Sequence, residues 1–479
     1  MVLLSRADLG AVGFLVNFLF PNVAPEYRLV HRLARDVSVQ ISGCVVTFHS
    51  GFRGNLVINA ENRWIANSLA ALSGPGVSRA MMAPAGSDGP GLVAAHLETL
   101  LLHQMLEYVW MSGGVELAAI TALSPGFKFF DEPLCLQSPM KLSRFAYLRL
   151  DGLVMVLESP EAHCRFELTC RETMRWVGAF AQAIQPANLL MHGAQQLLEF
   201  AGLLWKTGFL ERTDVEEPPS RGSWEFQDLL FHWRSRAGRS SGPQCATYRF
   251  LGDLDSPPAV KPAMSNACIR LPVPINEEPG MSLIDAIENR RSVREQGQEP
   301  VRLDQIARLL FHSARVKAQF PGEYQELVLR PVPAAGAIHE IEFYVAVGKC
   351  QGLEGGLYHY HSGEHCLYRL PSAETHVSAL LQDAALAWAK PEDPPEVLIV
   401  LASRLPRMAW KYEGIAYRLS LLNAGVIIQS LYLLATEMNL ACSAIGGGDS
   451  ATFAAATGLD PYEETSIAEF AVGSRAPDT

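Results

Sequence analysis

The chain has 479 residues, enough for two to four domains. Hydrophobic residues make up 49% and charged residues 19%, which excludes a disordered solubilising chain and supplies real cores. The formal net charge of −11 argues against non-specific attraction to nucleic acid or to an anionic membrane, so neither is an expected partner.

Nine cysteines are scattered without a CxxC pair, which suggests neither a zinc ribbon nor a disulfide framework. Reduced thiols fit best, and the expected location is cytoplasmic. The apolar run LGAVGFLVNFLF (9–20) is short for a bilayer span and follows Asp8, so it is expected to be a buried helix or strand.

Two N-terminal stretches look alike. SVQISGCVVTFHSG (38–51) and AYLRLDGLVMVLESP (146–160) both alternate around a polar-Gly turn, Ser42-Gly43 or Asp151-Gly152, as hairpins do. Each is followed by a helix-like piece carrying a tryptophan, NRWIANSLAAL (62–72) or TMRWVGAFAQAI (173–184), and then by another amphipathic stretch, 92–109 or 193–210. Two tandem repeats are expected, over 1–115 and 116–215, unless two ordinary α+β pieces coincide. Residues 216–275 read as a linker with one amphipathic segment, FQDLLFHWRSRAGR (226–239), and a proline-rich stretch.

From 276 to 479 helices and strands alternate around a small sheet, an α+β domain. Ser282 and Asp285 begin a helix, 303–316 and 371–389 are helical, and 340–349 and 396–403 are strands. The long, weakly charged helix 415–440 is expected to be central and buried.

Four clusters here could carry chemistry. In NRRSVR, Arg290, Arg291 and Arg294 with Ser292 make a phosphate clamp, or simply stabilise a helix end. In RPVPAAGAIHEIEFYV (330–345), small residues before a strand let backbone approach a ligand. In AIGGGD (444–449), glycines offer bare amides to a planar or phosphorylated cofactor, or only end a helix. In AWKYEGIAYR (409–418), Lys411 and Tyr412 are read as standing in the first turn of the long helix, whose positive end would lower the amine's pKa and make it a base. His359, His361 and His365 fall in an alternating hairpin, and no metal is expected there.

In this order, RRSVR, P-x-A-G-A before a strand, KY-x4-YR, a long helix and GGG resemble the flavin-dependent nitroreductase fold. Specifically they resemble the SagB-type azoline dehydrogenases of thiazole/oxazole-modified peptide pathways, whose G-L-Y-x-Y hairpin is similar to GLYHYHSGEHCLYRL. The resemblance covers about 276–479; FHWRSRAGR (231–239) is similar to the segment ahead of this domain in longer members, and the repeats resemble winged-helix peptide-recognition modules.

The resemblance implies a C-terminal nitroreductase-like FMN domain behind two winged-helix-like hairpin/helix repeats, working as a homodimer with FMN at the subunit interface. Arg290, Ser292 and Arg294, with Arg291 beside them, match the first FMN motif. Pro333, Ala334 and Gly336 match the loop beside the flavin, where the family's serine is Ala334 here; Gly446 and Gly447 match later flavin contacts. Lys411 and Tyr412 match the acid/base pair. The implied activity is oxidation of peptide thiazolines or oxazolines to azoles, on an azoline-containing precursor peptide, with a cyclodehydratase as a candidate second partner. A nitro- or quinone-reductase consuming NAD(P)H, or a non-catalytic peptide-binding scaffold, are the alternatives.

Overall fold

The computed structural model describes residues 27–51, 53–77, 89–239, 242–274 and 280–476, so the apolar run 9–20 lies outside the described residues. The chain divides into two units, Met1–Gln244 and Cys245–Thr479.

The first unit contains β1 (Tyr27–Leu33), β2 (Val37–Ser42), β3 (Val45–Ser50), β4 (Gly54–Asn59), α1 (Arg63–Ala70), α2 (Gly89–Leu102), β5 (Leu106–Ser112) and β6 (Val115–Ala122). After these come β7 (Met140–Leu142), β8 (Tyr147–Asp151), β9 (Val154–Glu158), β10 (Cys164–Leu168), α3 (Arg171–Ala179), α4 (Pro186–Met191), α5 (Gln195–Lys206) and β11 (Leu210–Arg212). α6 (Pro219–Gly222) and α7 (Phe226–Arg234) close the unit.

One order of elements occurs twice: a strand, a three-stranded meander, helices, and a strand that returns to pair with the first. β1 pairs with β5 around β2–β4, and β7 pairs with β11 around β8–β10. Both hairpin turns fall where the polar-Gly pairs put them, with Gly43 at φ 67° and Gly152 at φ 60°, backbone that glycine adopts without a Cβ penalty. The second amphipathic stretch differs from its expectation. The helix stops at Leu102, and LEYV becomes part of β5 because its Leu, Tyr and Val pack in a sheet core.

The two copies are not separate modules. The boundary expected at 115/116 falls beside the tight Gly113-Gly114 turn of the β5–β6 hairpin, and one sheet runs β1-β5-β6-β10-β9-β8. Tyr108 and Trp110 from the first half share a core with Leu117, Phe166, Phe200 and Phe209 from the second.

The second unit contains β12 (Cys268–Arg270), α8 (Leu283–Asn289), α9 (Leu303–Ala314), β13 (Ala318–Pro321), β14 (Glu326–Leu329), β15 (Ile341–Val347), β16 (Gly356–His361), β17 (Cys366–Arg369) and α10 (Glu374–Ala387). It continues with β18 (Val397–Ser403), α11 (Leu405–Lys411), α12 (Ala416–Glu437), β19 (Ala441–Ile445), α13 (Ser450–Thr457) and β20 (Thr465–Gly473).

An antiparallel sheet, β12-β17-β16-β15-β18-β20-β19, forms its middle layer. Every residue of β15 and β18 is buried, because helices cover both faces. Phe343 and Val345 pack with α9 and α12, while Tyr344 and Ala346 pack with α10 and α13. α12 contributes Ala424, Ile427, Leu431 and Ala435, a stripe at three- and four-residue spacing.

The expected linker over 216–275 is not one. Its first part forms α6 and α7 in the first unit, and residues 245–274 belong to the second. The proline-rich stretch is held by its carbonyls: Arg407 donates to Pro257, Arg404 to Pro258, and the Trp410 indole to Leu254, at 2.6, 2.9 and 2.9 Å.

Candidate active site

The loop Pro333–Ala337 leaves β14 and turns before β15. Gly336 stands at φ 59°, and Ala337 and His339 follow at φ 56° and 48°. Left-handed backbone at two non-glycine positions costs of order 1 kcal/mol each and persists only when surroundings hold it. They do so at three points. Asn423 of α12 accepts from the Ala335 amide at 3.0 Å, Arg407 of α11 donates to the Ile338 carbonyl at 2.9 Å, and Lys411 Nζ reaches the Gly336 carbonyl at 3.5 Å.

Lys411 and Tyr412 both come down on Gly336. A Cβ there would fall 2.8 Å from Lys411 Nζ and closer still to the Tyr412 hydroxyl. The structure thus brings together the loop residues Pro333, Ala334 and Gly336 with the Lys-Tyr pair, 75 residues further along the chain. Lys411 Nζ also lies 5.8 Å from the ring centre of Tyr248 and 5.4 Å from that of Tyr412.

The helix assignment behind Lys411 is corrected. A separate short helix, α11, precedes the long one; Pro406 sits in its first turn, where a missing amide costs nothing. Lys411 is the last residue of α11 and Tyr412 its cap, whereas α12 starts at Ala416 after Gly414 (φ 74°). The positive helix end expected beside the amine is therefore absent. What fixes Lys411 instead is a strap: the amides of Thr247 and Tyr248 donate to its carbonyl at 3.0 and 3.2 Å, and Ala246 bridges to Tyr412.

The other predicted residues form a second group. α8 ends at Asn289 with Arg290 as its cap, so Arg291, Ser292 and Arg294 lie just beyond the helix, and Val293 bridges to Cys442 on β19. Ser292 Oγ lies 2.9 Å from the Tyr432 hydroxyl, which also accepts from the Ala444 amide at 2.7 Å. The Arg290 guanidinium sits 5.1 Å over the Tyr432 ring. Tyr432 thus ties the arginine segment to the strand that runs into Gly446 and Gly447, which are exposed with open space where a Cβ would go. Arg291, Ser292 and Arg294 are exposed. Under the same turn, the Glu469 carboxyl packs so closely on Gly448 that no Cβ fits. Burial pushes that carboxyl up to about 7, nearby Asp383 adds to the effect, and the Gly448 amide opposes it.

Both groups hang on α12, through Asn423 and Tyr432. Nine residues separate these on the helix, about 13 Å of rise and half a turn of rotation.

Sequence reading missed Tyr248, Glu340, Asn423, Tyr432 and Glu469. Asn423 and Tyr432 had a signal, being polar groups on the apolar stripe of α12. The histidine hairpin holds structural roles. His359 lies 3.4 Å from Glu342, and His365 contacts the Tyr360 hydroxyl and the Pro272 carbonyl at 2.9 and 3.2 Å. Among the described residues no cluster of three or more His, Cys, Asp or Glu could hold a metal ion.

A nitroreductase family model matches residues 287–474, which contain both groups. A model of the cyanobactin oxidase ThcOx matches 140–241. A Methanocaldococcus jannaschii protein named as a nitroreductase is 32% identical over 167 residues, 35% of this chain and 79% of that protein. The chain belongs to the nitroreductase family.

The trifolitoxin-processing protein TfxB of Rhizobium leguminosarum bv. trifolii is 29% identical over 171 residues, and the chain spans about half of it, 46%. Among solved structures, a Ralstonia eutropha protein described as a nitroreductase is 24% identical, with 47% of this chain and 97% of that one covered and a TM-score of 0.36. The E. coli microcin synthetase McbBCD complex with truncated pro-MccB17 bound is 16% identical, with 56% and 99% covered and a TM-score of 0.32. Scores this low carry no argument of their own. The SagB-type resemblance in the motifs stands beside two family models, one of them of an oxidase and placed ahead of the nitroreductase domain. The fold is α+β, with a nitroreductase-like C-terminal domain behind a unit of hairpins and helices.

Proposed function

We propose that the chain is an FMN-dependent dehydrogenase that oxidises peptide thiazolines or oxazolines to thiazoles or oxazoles. The observation that carries this reading is the convergence of Lys411 Nζ and the Tyr412 hydroxyl on Gly336, in the loop whose motif matches the flavin-side loop. Transfer of electrons alone does not call for an amine and a phenol at that place.

The residues present fit FMN. The guanidiniums of Arg290, Arg291 and Arg294 with the Ser292 hydroxyl form a donor set suited to a phosphate. Gly446 and Gly447, with open space where a Cβ would go, leave backbone bare for a flat ring. When bound, FMN supplies the two-electron acceptor for the hydride from the former Cβ of the ring. Lys411 takes the proton from the former Cα, and Tyr412, whose hydroxyl stands at the same glycine, is its partner in that transfer. Loss of that proton and hydride leaves the aromatic azole.

The two residue groups are half a turn apart on α12, and the resemblance places FMN between subunits. Leu421, Leu422 and Val426 expose an apolar face on the same helix. Both observations support a homodimer in which each flavin is held from two chains. The N-terminal unit would hold the azoline-containing precursor peptide, or dock a cyclodehydratase. The names of the oxidase model and of TfxB support a place in peptide maturation. The likeness to a protein named as a nitroreductase supports a second reading, an NAD(P)H-dependent nitro- or quinone-reductase.

Absorbance of the purified protein with added FMN, followed by mass spectrometry of an azoline peptide, tests the reading. Wild type should show flavin bands and remove two hydrogens from the peptide; Lys411→Ala should keep the bands and lose the oxidation. Retained oxidation in Lys411→Ala would remove the amine from the mechanism. Rapid NAD(P)H consumption with a nitroarene and no azole would favour the reductase.

A further inference from the structure

We propose that Asn423, backed by the buried carboxyl of Glu340, is a positioning residue that fixes the loop 333–337 and thereby the place where Lys411 and Tyr412 meet a bound ring. The proposal rests on the reading of Lys411 and Tyr412 as the proton-transfer pair.

The Asn423 side chain is buried in the apolar stripe of α12, between Ser420 and Ile427. A buried amide there must find partners for its carbonyl and its NH2. The Ala335 amide can only donate, so the Asn423 oxygen must face it, and it does so at 3.0 Å. The Asn423 NH2 is thereby turned to Glu340 and donates to its two oxygens at 3.2 and 3.1 Å. No other orientation of the amide satisfies both neighbours.

The loop needs such an anchor. Its own turn bonds, Ala337 to Ala334 and Ile338 to Ala335, are each 3.2 Å long, and Gly336, Ala337 and His339 all stand at positive φ. Arg407 and Lys411 hold the loop to α11, and Asn423 holds it to α12. A small cavity lined by Pro333, Ala334, Glu340 and Asn423 lies against this contact and gives the loop somewhere to collapse if the amide is removed. Glu340 is completely buried, and burial pushes its carboxyl up. The groups facing it are Asn423 and the Ser420 hydroxyl on α12 and the Arg330 guanidinium after β14; His339 lines the same cavity.

The test uses the full chain with Asn423→Ala, Asn423→Asp and Glu340→Gln. Hydrogen exchange of the loop peptide is measured by mass spectrometry without flavin. The pH profile of Lys411 acetylation by acetic anhydride is measured on the same samples. Asn423→Ala should speed loop exchange about tenfold, the effect of losing one buried hydrogen bond, and should displace the Lys411 profile. Glu340→Gln should leave both near wild type, because its amide oxygen still accepts from Asn423. Asn423→Asp keeps the acceptor for Ala335 but sets two carboxyls together. It should hold the loop near about pH 5, where they share a proton, and release it near about pH 8.

Wild-type exchange and an unmoved Lys411 profile in Asn423→Ala would overturn the proposal. If Asn423→Ala does not fold, the two pH arms of Asn423→Asp decide, and equal exchange in both would overturn it. A wild type without flavin bands or azole formation would defeat the proposed function while these flavin-free readouts still judged the positioning role.

Discussion

Lys411 and Gly336 occupy one another's space: the amine reaches the Gly336 carbonyl at 3.5 Å, and a β-carbon on that glycine would stand 2.8 Å from the same nitrogen. Gly336→Ala meets two penalties, a left-handed φ of 59° and the crowding of Lys411 and Tyr412. A cost of about 1–2 kcal/mol in stability is expected. The larger effect should be on chemistry, at least about tenfold in azole formation, because displacement of a base by fractions of an ångström misaligns proton transfer. Thermal unfolding beside single-turnover oxidation checks both; full activity in Gly336→Ala would show that the amine does not work from this position.

How much of this was legible in the sequence differs by residue. The hairpins over 38–51 and 146–160 were readable because a polar-Gly pair sets a turn locally. The motif residues of 290–294, 333–336 and 446–447 were readable as patterns. The sequence reading puts Lys411 on the long helix because 409–440 offers no obvious stop, whereas the break is at Gly414, whose φ of 74° separates α11 from α12. The strap 245–258 could not be read at all. Its proline-rich composition resembles a linker, and distant partners on α11 and just before it, the Arg404 and Arg407 guanidiniums, the Trp410 indole and the Lys411 carbonyl, make it part of the fold. Asn423 and Tyr432 were visible as polar residues on an apolar stripe, but their partners Ala335 and Ala444 are set by tertiary structure.

Ala334 stands where the resembled family has serine. Its backbone is extended, with φ −142° and ψ 156°, and its side chain is half-buried, so a hydroxyl can be added without strain. Ala334→Ser should leave thermal stability unchanged and tighten FMN binding by roughly fivefold, the worth of one added hydrogen bond of about 1 kcal/mol. A fluorescence titration reads this directly. An unchanged dissociation constant would mean that the loop serine makes no contact with the flavin in this framework.

Glu342 lies in the sheet between His359 and Arg404, the latter donating at 3.2 Å. Burial would push its carboxyl up, but the His359 hydrogen bond and the charges of Arg330, His359 and Arg404 prevail and hold it down to about 2. A carboxyl lowered in the folded state stabilises fully above its unfolded value of 4.5 and loses that contribution as pH falls toward 2. Glu342→Gln should therefore be less stable than wild type at neutral pH, and the gap should close between these two pH values. Denaturant titrations across that range check it, and a gap independent of pH would mean that the charge of Glu342 contributes nothing.

Glu469 behaves in the opposite sense. Its carboxyl is pushed up to about 7 by burial beneath the glycine turn, and one of its oxygens has no hydrogen-bond partner. A carboxyl raised in the folded state favours folding while protonated. That advantage shrinks as pH rises from 4.5, where the unfolded group ionises, through about 7. Glu469→Gln keeps an acceptor for the Gly448 amide and removes the buried charge. Its melting temperature should match wild type near about pH 5 and exceed it near about pH 8, by an amount on the order of 2 kcal/mol in stability. The same substitution should flatten any fall in FMN affinity with rising pH, because an anion beneath Gly448 disfavours a phosphate or an electron-rich ring above it. A Glu469→Gln protein no more stable than wild type at the higher pH would show that the carboxyl reaches solvent or a cation there, and that the glycine turn carries no buried charge.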